Sequence, residues 1–373
     1  MHAPAPAPAA MTLDERPIRV MVVDDSAVVR GLVSRWIDEE PGLEIVARHP
    51  NGRMAVEDVA RSSPDIVLLD IDMPVMDGLE ALPLLLQARP GLAVLMVSTL
   101  TKRNAEISFK ALALGALDYV PKPDSNREIT ISLDFRREVI LKTKSLGRVR
   151  SLSKGRADRA RADGGTPVRP STFQHSPFSL VPPRVVAIGS STGGPEALMS
   201  LLGAASSLSR VPVLVAQHMP PVFTTVLAER LARATGRSAR EGIDGEPLKP
   251  GEIYVAPGNH HMTVAACAEP VLRIGSEAAV NFCRPAIDPL FASVATIFGP
   301  AALGIVLTGM GNDGAAGARA IAACGGSVIA QDEASSVVWG MPGAAAASGA
   351  CAAVLPPIEI AATVSKLVRG ERP

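Results

Sequence analysis

The sequence predicts an α/β protein made of two doubly wound parallel-sheet domains joined by a basic linker. Three observations carry that expectation. Short β-branched runs alternate with helical patterns over residues 18–145 and again over 184–369. The stretch between them, 146–183, falls mostly within "KSLGRVRSLSKGRADRARADGGTPVRP", which is basic and nearly free of large apolar residues, so it cannot bury enough surface to offset its own ordering and reads as a linker, with a helical start allowed. At 373 residues the chain is also longer than one typical hydrophobic core organises.

Composition narrows the function classes. Hydrophobic residues make up 47%, aromatic residues only 3%, and the formal net charge is zero, a profile that argues against a nucleic-acid or other polyanion binder. No apolar run approaches the roughly 18 to 20 residues of a membrane span, so no membrane insertion is expected. The opening "MHAPAPAPAA" lacks the basic start and leucine-rich stretch of a signal peptide, and residues 1–17 read as a disordered tail. Cys267, Cys283, Cys324 and Cys351 lack paired metal-type spacing, which suits reduced thiols and a cytoplasmic location.

In the first domain "IRVMVV", "EIVA", "DIVLL" and "AVLMV" read as buried parallel strands. Val29, Leu32, Val33, Trp36 and Ile37 recur at helical spacing, as do Leu79, Leu82 and Leu86. Right-handed crossovers then bring the strand ends to one edge, where such sheets bind ligands. Asp24 and Asp25 end the first strand and Asp70 ends the third. Three convergent carboxylates repel one another unless a hard cation joins them, and oxygen ligands suit Mg²⁺. With Ser98 ending the next strand and Lys122 in "DYVPKP", the set could hold a phosphoryl group on Asp70. Pro123 after Lys122 could enforce an unusual peptide geometry there. Each residue alone has an ordinary reading, since adjacent aspartates after a strand are common turn formers.

In the second domain "VVAI", "VPVLVA", "ALGIVLT" and "SVIA" read as strands. Helices are expected near 195–208, 222–234, 286–298 and 314–323, and residues 236–285 form an excursion of short strands and loops. The loop "AIGSSTGGPEAL" follows the first of these strands. It lacks the Gly-Lys-Ser/Thr of a phosphate loop and the G-x-G-x-x-G spacing of a dinucleotide site. What remains is a strand, a glycine turn and a helix opening near Pro195, which presents a serine beside free helix N–H groups. A serine nucleophile needs a base and an orienting acid. His218 in "VLVAQHMPP" falls on the same sheet edge, and "GIVLTGMGNDGAAG" supplies Asp313. His2 lies in the tail, His175 in the linker and His49 in the first domain, while His260 and His261 could line a cleft.

The order "VVDDS", "LLDIDMPVMDG", "VSTLT" and "DYVPKP" resembles the receiver domain of bacterial response regulators over residues 18–145. The resemblance implies a flavodoxin-like fold, Asp70 as phosphoacceptor, and Asp24 and Asp25 as Mg²⁺ residues together with Asp70 and the Asp72 backbone carbonyl. It further implies Ser98 as switch hydroxyl, Tyr119 as switch aromatic and Lys122 as phosphate contact. "GSSTGG", "AQHMP" and "TGMGNDG" resemble the catalytic domain of the chemotaxis protein-glutamate methylesterases over about 184–369, with support from "YVAPGNHHM", "NFCRPAIDPLF" and "QDEASSVVWGMP". That resemblance implies Ser191 as nucleophile, His218 as base, Asp313 as acid, and the N–H groups of Thr192 and Met310 as oxyanion donors. Ser190 stands where many relatives have Ala, which leaves open which hydroxyl attacks. Cys283 stands where many have His, a change expected to alter substrate contacts without touching the triad.

The implied function is a phosphorylation-activated serine esterase that hydrolyses glutamate methyl esters on methyl-accepting chemoreceptors, and glutamine deamidation is a related possibility. A sensor histidine kinase would be the phosphodonor, and the esterase step would need no cofactor. The resemblance also implies that the unphosphorylated receiver covers the catalytic face. Two other readings compete. One is a regulator whose second domain only binds a partner. The other is a receiver fused to a DNA-binding output, for which the C-terminal half lacks a basic helix-turn-helix.

Overall fold

The computed structural model describes residues 16–123, 132–162 and 176–373, with backbone only over 149–162. The tail expected at 1–17 lies almost wholly outside the described residues, as do His2, His175 and the middle of the linker. The chain folds as two compact units. No helix among the described residues is long and apolar enough to cross a membrane.

The first unit is built on β1 (Ile18–Val23), β2 (Leu43–His49), β3 (Ile66–Asp70), β4 (Ala93–Thr99) and β5 (Asp118–Lys122), all parallel in the order β2-β1-β3-β4-β5. The helices between and after these strands are α1 (Ala27–Asp38), α2 (Gly52–Ser62), α3 (Gly78–Ala88), α4 (Lys102–Ala113) and α5 (Leu133–Ala162). Strand β3 is buried throughout, as expected of a parallel strand covered on both faces. The expected stripe of α1 is buried from Val29 to Ile37. In α3 the buried residues are Gly78, Ala81, Leu82 and Leu85, so Leu79 and Leu86 flank the stripe rather than form it. Because the chain steps from β1 to β2 on one side and to β3 on the other, a crevice opens at the carboxyl ends of β1 and β3.

Helix α5 crosses the expected boundary at 145/146 without a break. Phe135, Val139, Ile140, Thr143 and Leu146 are buried at helical spacing, and Phe135 packs edge-on against Trp36 with ring centroids 5.8 Å apart. Beyond Leu146 the run is dominated by Arg, Lys, Ala, Leu and Ser without proline, so nothing stops the helix before Ala162. The start of the linker is therefore the end of the first unit's last helix. Its far end belongs to the second unit, because Ser176 N donates to Cys351 O at 3.0 Å and Ser179 Oγ to Pro300 O at 2.8 Å.

The second unit carries a seven-stranded parallel sheet. Its strands are β6 (Val185–Ser190), β7 (Val213–Gln217), β8 (Ala239–Glu241), β9 (Ile253–Val255), β12 (Ala302–Val306), β13 (Ser327–Gln331) and β14 (Ala353–Leu355). The order is β14-β13-β12-β6-β7-β9-β8. The helices are α6 (Gly194–Ala204), α7 (Phe223–Thr235), α8 (Ile287–Phe298), α9 (Ala315–Ala323), α10 (Met341–Ala347) and α11 (Pro357–Val368). Sheet and helices enclose a core that includes Ala187, Leu214, Phe291, Val306, Ile321 and Val328. The excursion at 236–285 contributes β8 and β9 to the main sheet and a separate antiparallel pair, β10 (His261–Ala265) and β11 (Val271–Gly275). Strand order reverses at β6, whose neighbours are β7 and β12, so the carboxyl ends of these three strands converge.

Candidate active site and phosphorylation site

In the first unit, oxygens of Asp24, Asp25 and Asp70 all lie within 4.8 Å of one another. Lys122 Nζ bridges two of them, 2.7 Å from Asp24 Oδ2 and 2.8 Å from Asp70 Oδ1. Burial, reinforced by the Asp24 charge and opposed by Lys122, pushes the Asp70 carboxyl up to about 6. A divalent cation would relieve that repulsion, and an all-carboxylate donor set is the chemistry Mg²⁺ selects. Local bonds fix the cluster: Asp24 Oδ1 accepts from Ser26 N at 2.9 Å, Asp70 Oδ1 accepts from Ile71 N at 2.8 Å, and Arg30 Nη1 donates to Asp24 O at 2.6 Å. The glycine ending "LLDIDMPVMDG" has a steric reason, since a Cβ on Gly78 would run into the Asp70 carbonyl. Ser98 is buried on β4 opposite Pro121 of β5. Asp72 is exposed in the loop after β3. Tyr119 is buried, with the Lys142 ammonium 5.3 Å from its ring centre. The cis peptide among the described residues is Arg284–Pro285, not Lys122–Pro123; trans remains the favoured form of an X-Pro bond by about 0.5–1 kcal/mol.

In the second unit the three expected strand ends meet. His218 N donates to Ser190 O at 3.0 Å, and His218 Nε2 lies 2.7 Å from Asp313 Oδ2. The "GSSTGG" turn closes through Gly194 N to Ser191 O at 2.8 Å, with Gly193 capping α6 at φ 75, a left-handed conformation that glycine adopts without strain. The two serines differ sharply. Ser190 is fully buried and donates to Gln217 Oε1 at 2.6 Å, whereas Ser191 is half-buried and its hydroxyl makes no hydrogen bond among the described residues. Gln217 Nε2 in turn donates to Ser191 O at 2.9 Å, so the buried serine supports the loop that presents its neighbour. Ser191 N is committed to Thr308 O at 3.0 Å; of the expected oxyanion donors, Thr192 follows Ser191 and is buried, and Met310 lies half-buried in the loop after β12.

Asp313 is held as an anion. Besides His218 it accepts from Ile287 N at 2.7 Å, Asp288 N at 3.1 Å, Gly314 N at 3.0 Å and Asn281 Nδ2 at 3.1 Å. Two of these donors open α8, where the helix dipole also favours a carboxylate. Burial alone would raise its pKa, but His218 and the backbone donors outweigh it and hold Asp313 at about 2. His218 loses charge stability by burial, yet Asp313 and the Cys283 sulfur pull it up to about 9.

Cys283 overturns one expectation. Its Sγ lies 3.4 Å from His218 Nδ1, so it touches the expected base directly. The physical reason is the loop before α8, which folds back through a bridge between Val280 and Cys283 and pins itself to Asp313 through Asn281. Asn281 and Gln217 are functional neighbours that sequence reasoning missed, although both sit inside or beside quoted motifs. His261 is buried with both ring nitrogens bonded to backbone, and it borders a cavity of about 460 Å³ with Asp244, Arg273 and Glu277. His49 pairs with Asp58 at 2.9 Å, and His260 Nδ1 lies 3.0 Å from Gly258 O.

Comparison with known proteins matches residues 20–134 to the response regulator receiver domain and residues 186–364 to the CheB methylesterase family. A protein-glutamate methylesterase/protein-glutamine glutaminase of Nitrobacter hamburgensis is 52% identical over 364 residues, covering 96% of this chain and 96% of the relative. The chain belongs to the protein-glutamate methylesterase/protein-glutamine glutaminase family. A second family member, from Rhodopseudomonas palustris strain HaA2, is 51% identical over 382 residues, with 99% and 98% of the two chains covered. The crystal structure of the Thermotoga maritima CheB methylesterase catalytic domain is 38% identical, covers 50% of this chain and 100% of that one, and has a TM-score of 0.49. As a family member the chain carries both expected units, each a parallel α/β fold with its candidate residues at the carboxyl edge.

Proposed function

We propose that this family member is a phosphorylation-activated serine esterase that cleaves glutamate methyl esters on chemoreceptors, with Ser191 as nucleophile. The observation that carries this reading is the His218–Asp313 contact of 2.7 Å at the strand ends beside Ser191. His218 removes the Ser191 proton, and Ser191 attacks the ester carbonyl. The oxyanion takes hydrogen bonds from the N–H groups of Thr192 and Met310, and Asp313 stabilises the protonated ring. Methanol leaves with that proton, and water resolves the glutamyl-enzyme by the same route in reverse. The chemistry extends to receptor glutamines, because an amide passes through a similar oxyanion. Loss of activity in His218→Gln, measured as methanol released from methylated receptor membranes, tests the assignment; undiminished release would refute it.

A ring held at about 9 is mostly protonated at pH 7, and only its neutral form accepts a proton. The value of kcat/KM is therefore expected to climb about tenfold per pH unit below 9 and to level off above it. A flat profile between pH 7 and 9, with chemistry rate-limiting, would contradict that role.

In the receiver, Asp70 accepts a phosphoryl group from a sensor kinase. Asp24 and Asp25, with Asp70 itself and the Asp72 carbonyl, would hold Mg²⁺, which when bound neutralises phosphoryl oxygens. Lys122 pairs with the same oxygens and Ser98 donates a hydrogen bond to them. Tyr119 is the switch aromatic. A coupling of roughly 1–3 kcal/mol between the units suffices for regulation. Asp70→Asn is expected to keep basal activity and lose stimulation by a small-molecule phosphodonor; chelating the divalent cation should remove that stimulation from wild type as well. Stimulation persisting in Asp70→Asn would place the phosphoryl group elsewhere.

A further inference from the structure

Cys283 lies against the imidazole that the reading above makes the general base, and the inference drawn from it rests on that reading. His218 has two ring nitrogens. Nε2 is 2.7 Å from Asp313 Oδ2. An ionised carboxylate only accepts, so Nε2 keeps its proton. Proton exchange with a serine hydroxyl then falls to Nδ1, which lies 3.4 Å from Cys283 Sγ. The nitrogen that must receive the Ser191 proton is thus in contact with sulfur, while the Ser191 hydroxyl makes no hydrogen bond among the described residues.

The position of the sulfur is built into the backbone. Val280 and Cys283 exchange a pair of hydrogen bonds, Cys283 N to Val280 O at 2.9 Å and Val280 N to Cys283 O at 3.1 Å. Asn281, inside that turn at φ 51, donates through Nδ2 to Asp288 Oδ2 at 3.0 Å and to Asp313 Oδ1 at 3.1 Å. One short turn therefore grips the carboxylate on one side of the ring and sets the thiol on the other.

We propose that Cys283 is a positioning residue for His218, whose sulfur engages Nδ1 before substrate arrives and sets the pH above which that nitrogen accepts the Ser191 proton. A ring protonated on both nitrogens donates to Asp313 on one side and to sulfur on the other, and in that state it cannot act as a base. The groups that bear on the ring are Asp313 from the loop after β12, Cys283 from the loop before α8 and, behind Asp313 through Asn281, Asp288 at the start of α8. Burial disfavours the charged ring, so the carboxylate and the sulfur are what hold it in the protonated form. Replacing the sulfur by a methyl group removes one of the two and leaves Asp313 in place.

The test compares the full chain as wild type, Cys283→Ala and Cys283→Ser. Two readouts are taken: kcat/KM against pH, and NMR titration of the His218 ring, whose signal is identified by its loss in His218→Gln. The expected result is that Cys283→Ala lowers both midpoints by about one pH unit. Its kcat/KM at pH 7 should rise roughly five- to tenfold. Cys283→Ser, which keeps a polar partner, should fall between the two. A ring titration that does not move in Cys283→Ala overturns the proposal whatever happens to the rate. A merely structural role would lower the rate and leave both midpoints in place, and that result also overturns it. Should the ring midpoint fall without the kcat/KM profile following, the sulfur contact stands and the failure lies with His218 as the base.

Discussion

Replacing Ser191 with alanine is expected to lower turnover of receptor methyl esters on the order of 10⁴-fold or more, with no comparable loss of stability. The hydroxyl has no hydrogen-bond partner among the described residues, so its removal leaves nothing unsatisfied. Ser190→Ala should behave in the opposite way. Its hydroxyl is fully buried and donates to Gln217 Oε1 at 2.6 Å, so the substitution strands a buried acceptor and costs about 1–3 kcal/mol. Turnover should fall far less, through loosening of Gln217, which also holds Ser191 O at 2.9 Å. Denaturant unfolding and kcat, measured on both variants, separate the nucleophile from its support. A Ser191→Ala enzyme with near-normal turnover would transfer the role to Ser190.

Asp313→Asn is expected to cost about 10⁴ in kcat with the substrate still bound. The carboxylate accepts five hydrogen bonds, from His218, Asn281 and the backbone of Ile287, Asp288 and Gly314. A carboxamide is neutral, and one of its two ends donates. With its amide group turned toward Nε2 it would force the ring proton onto Nδ1, the nitrogen that has to be the base. The same pair gives a pH signature in stability. His218 is raised in the folded state from 6.5 to about 9, so its contribution is fully present below about 6.5 and is lost as pH rises through 9. Asp313 is lowered from 3.8 to about 2, so its contribution is present above 3.8 and is lost as pH falls through 2. The stability difference between wild type and His218→Gln should therefore shrink from pH 6 to pH 10, over the range in which activity rises. A difference that grows with pH would contradict the pairing.

Both candidate sites were legible in the sequence because they sit where parallel strands end. Asp24, Asp70, Ser191 and His218 each follow a β-branched run, and a doubly wound sheet carries such positions to one edge. Asp313 was legible from the glycine-rich loop after β12. Side chains that act across the fold were not. Gln217 is one residue from His218, but its role depends on Ser190 facing inward. Asn281 and Cys283 reach Asp313 and His218 only because the loop before α8 turns back on itself, and no periodicity encodes that turn. The length of the linker's helical start was not legible for a different reason: a basic, charge-rich run reads mostly as a solvated tether, yet the same residues propagate a helix as far as Ala162 once Phe135, Val139 and Leu146 have anchored it.

The most direct test of the account is methanol release from methylated receptor membranes by wild type, Ser191→Ala and Asp70→Asn, each with and without a small phosphodonor and Mg²⁺. The expected result is release lowered on the order of 10⁴-fold or more in Ser191→Ala under either condition, basal release from Asp70→Asn that the phosphodonor leaves unchanged, and stimulated release from wild type alone. Near-normal release from Ser191→Ala, or stimulation without Asp70, would contradict that reading.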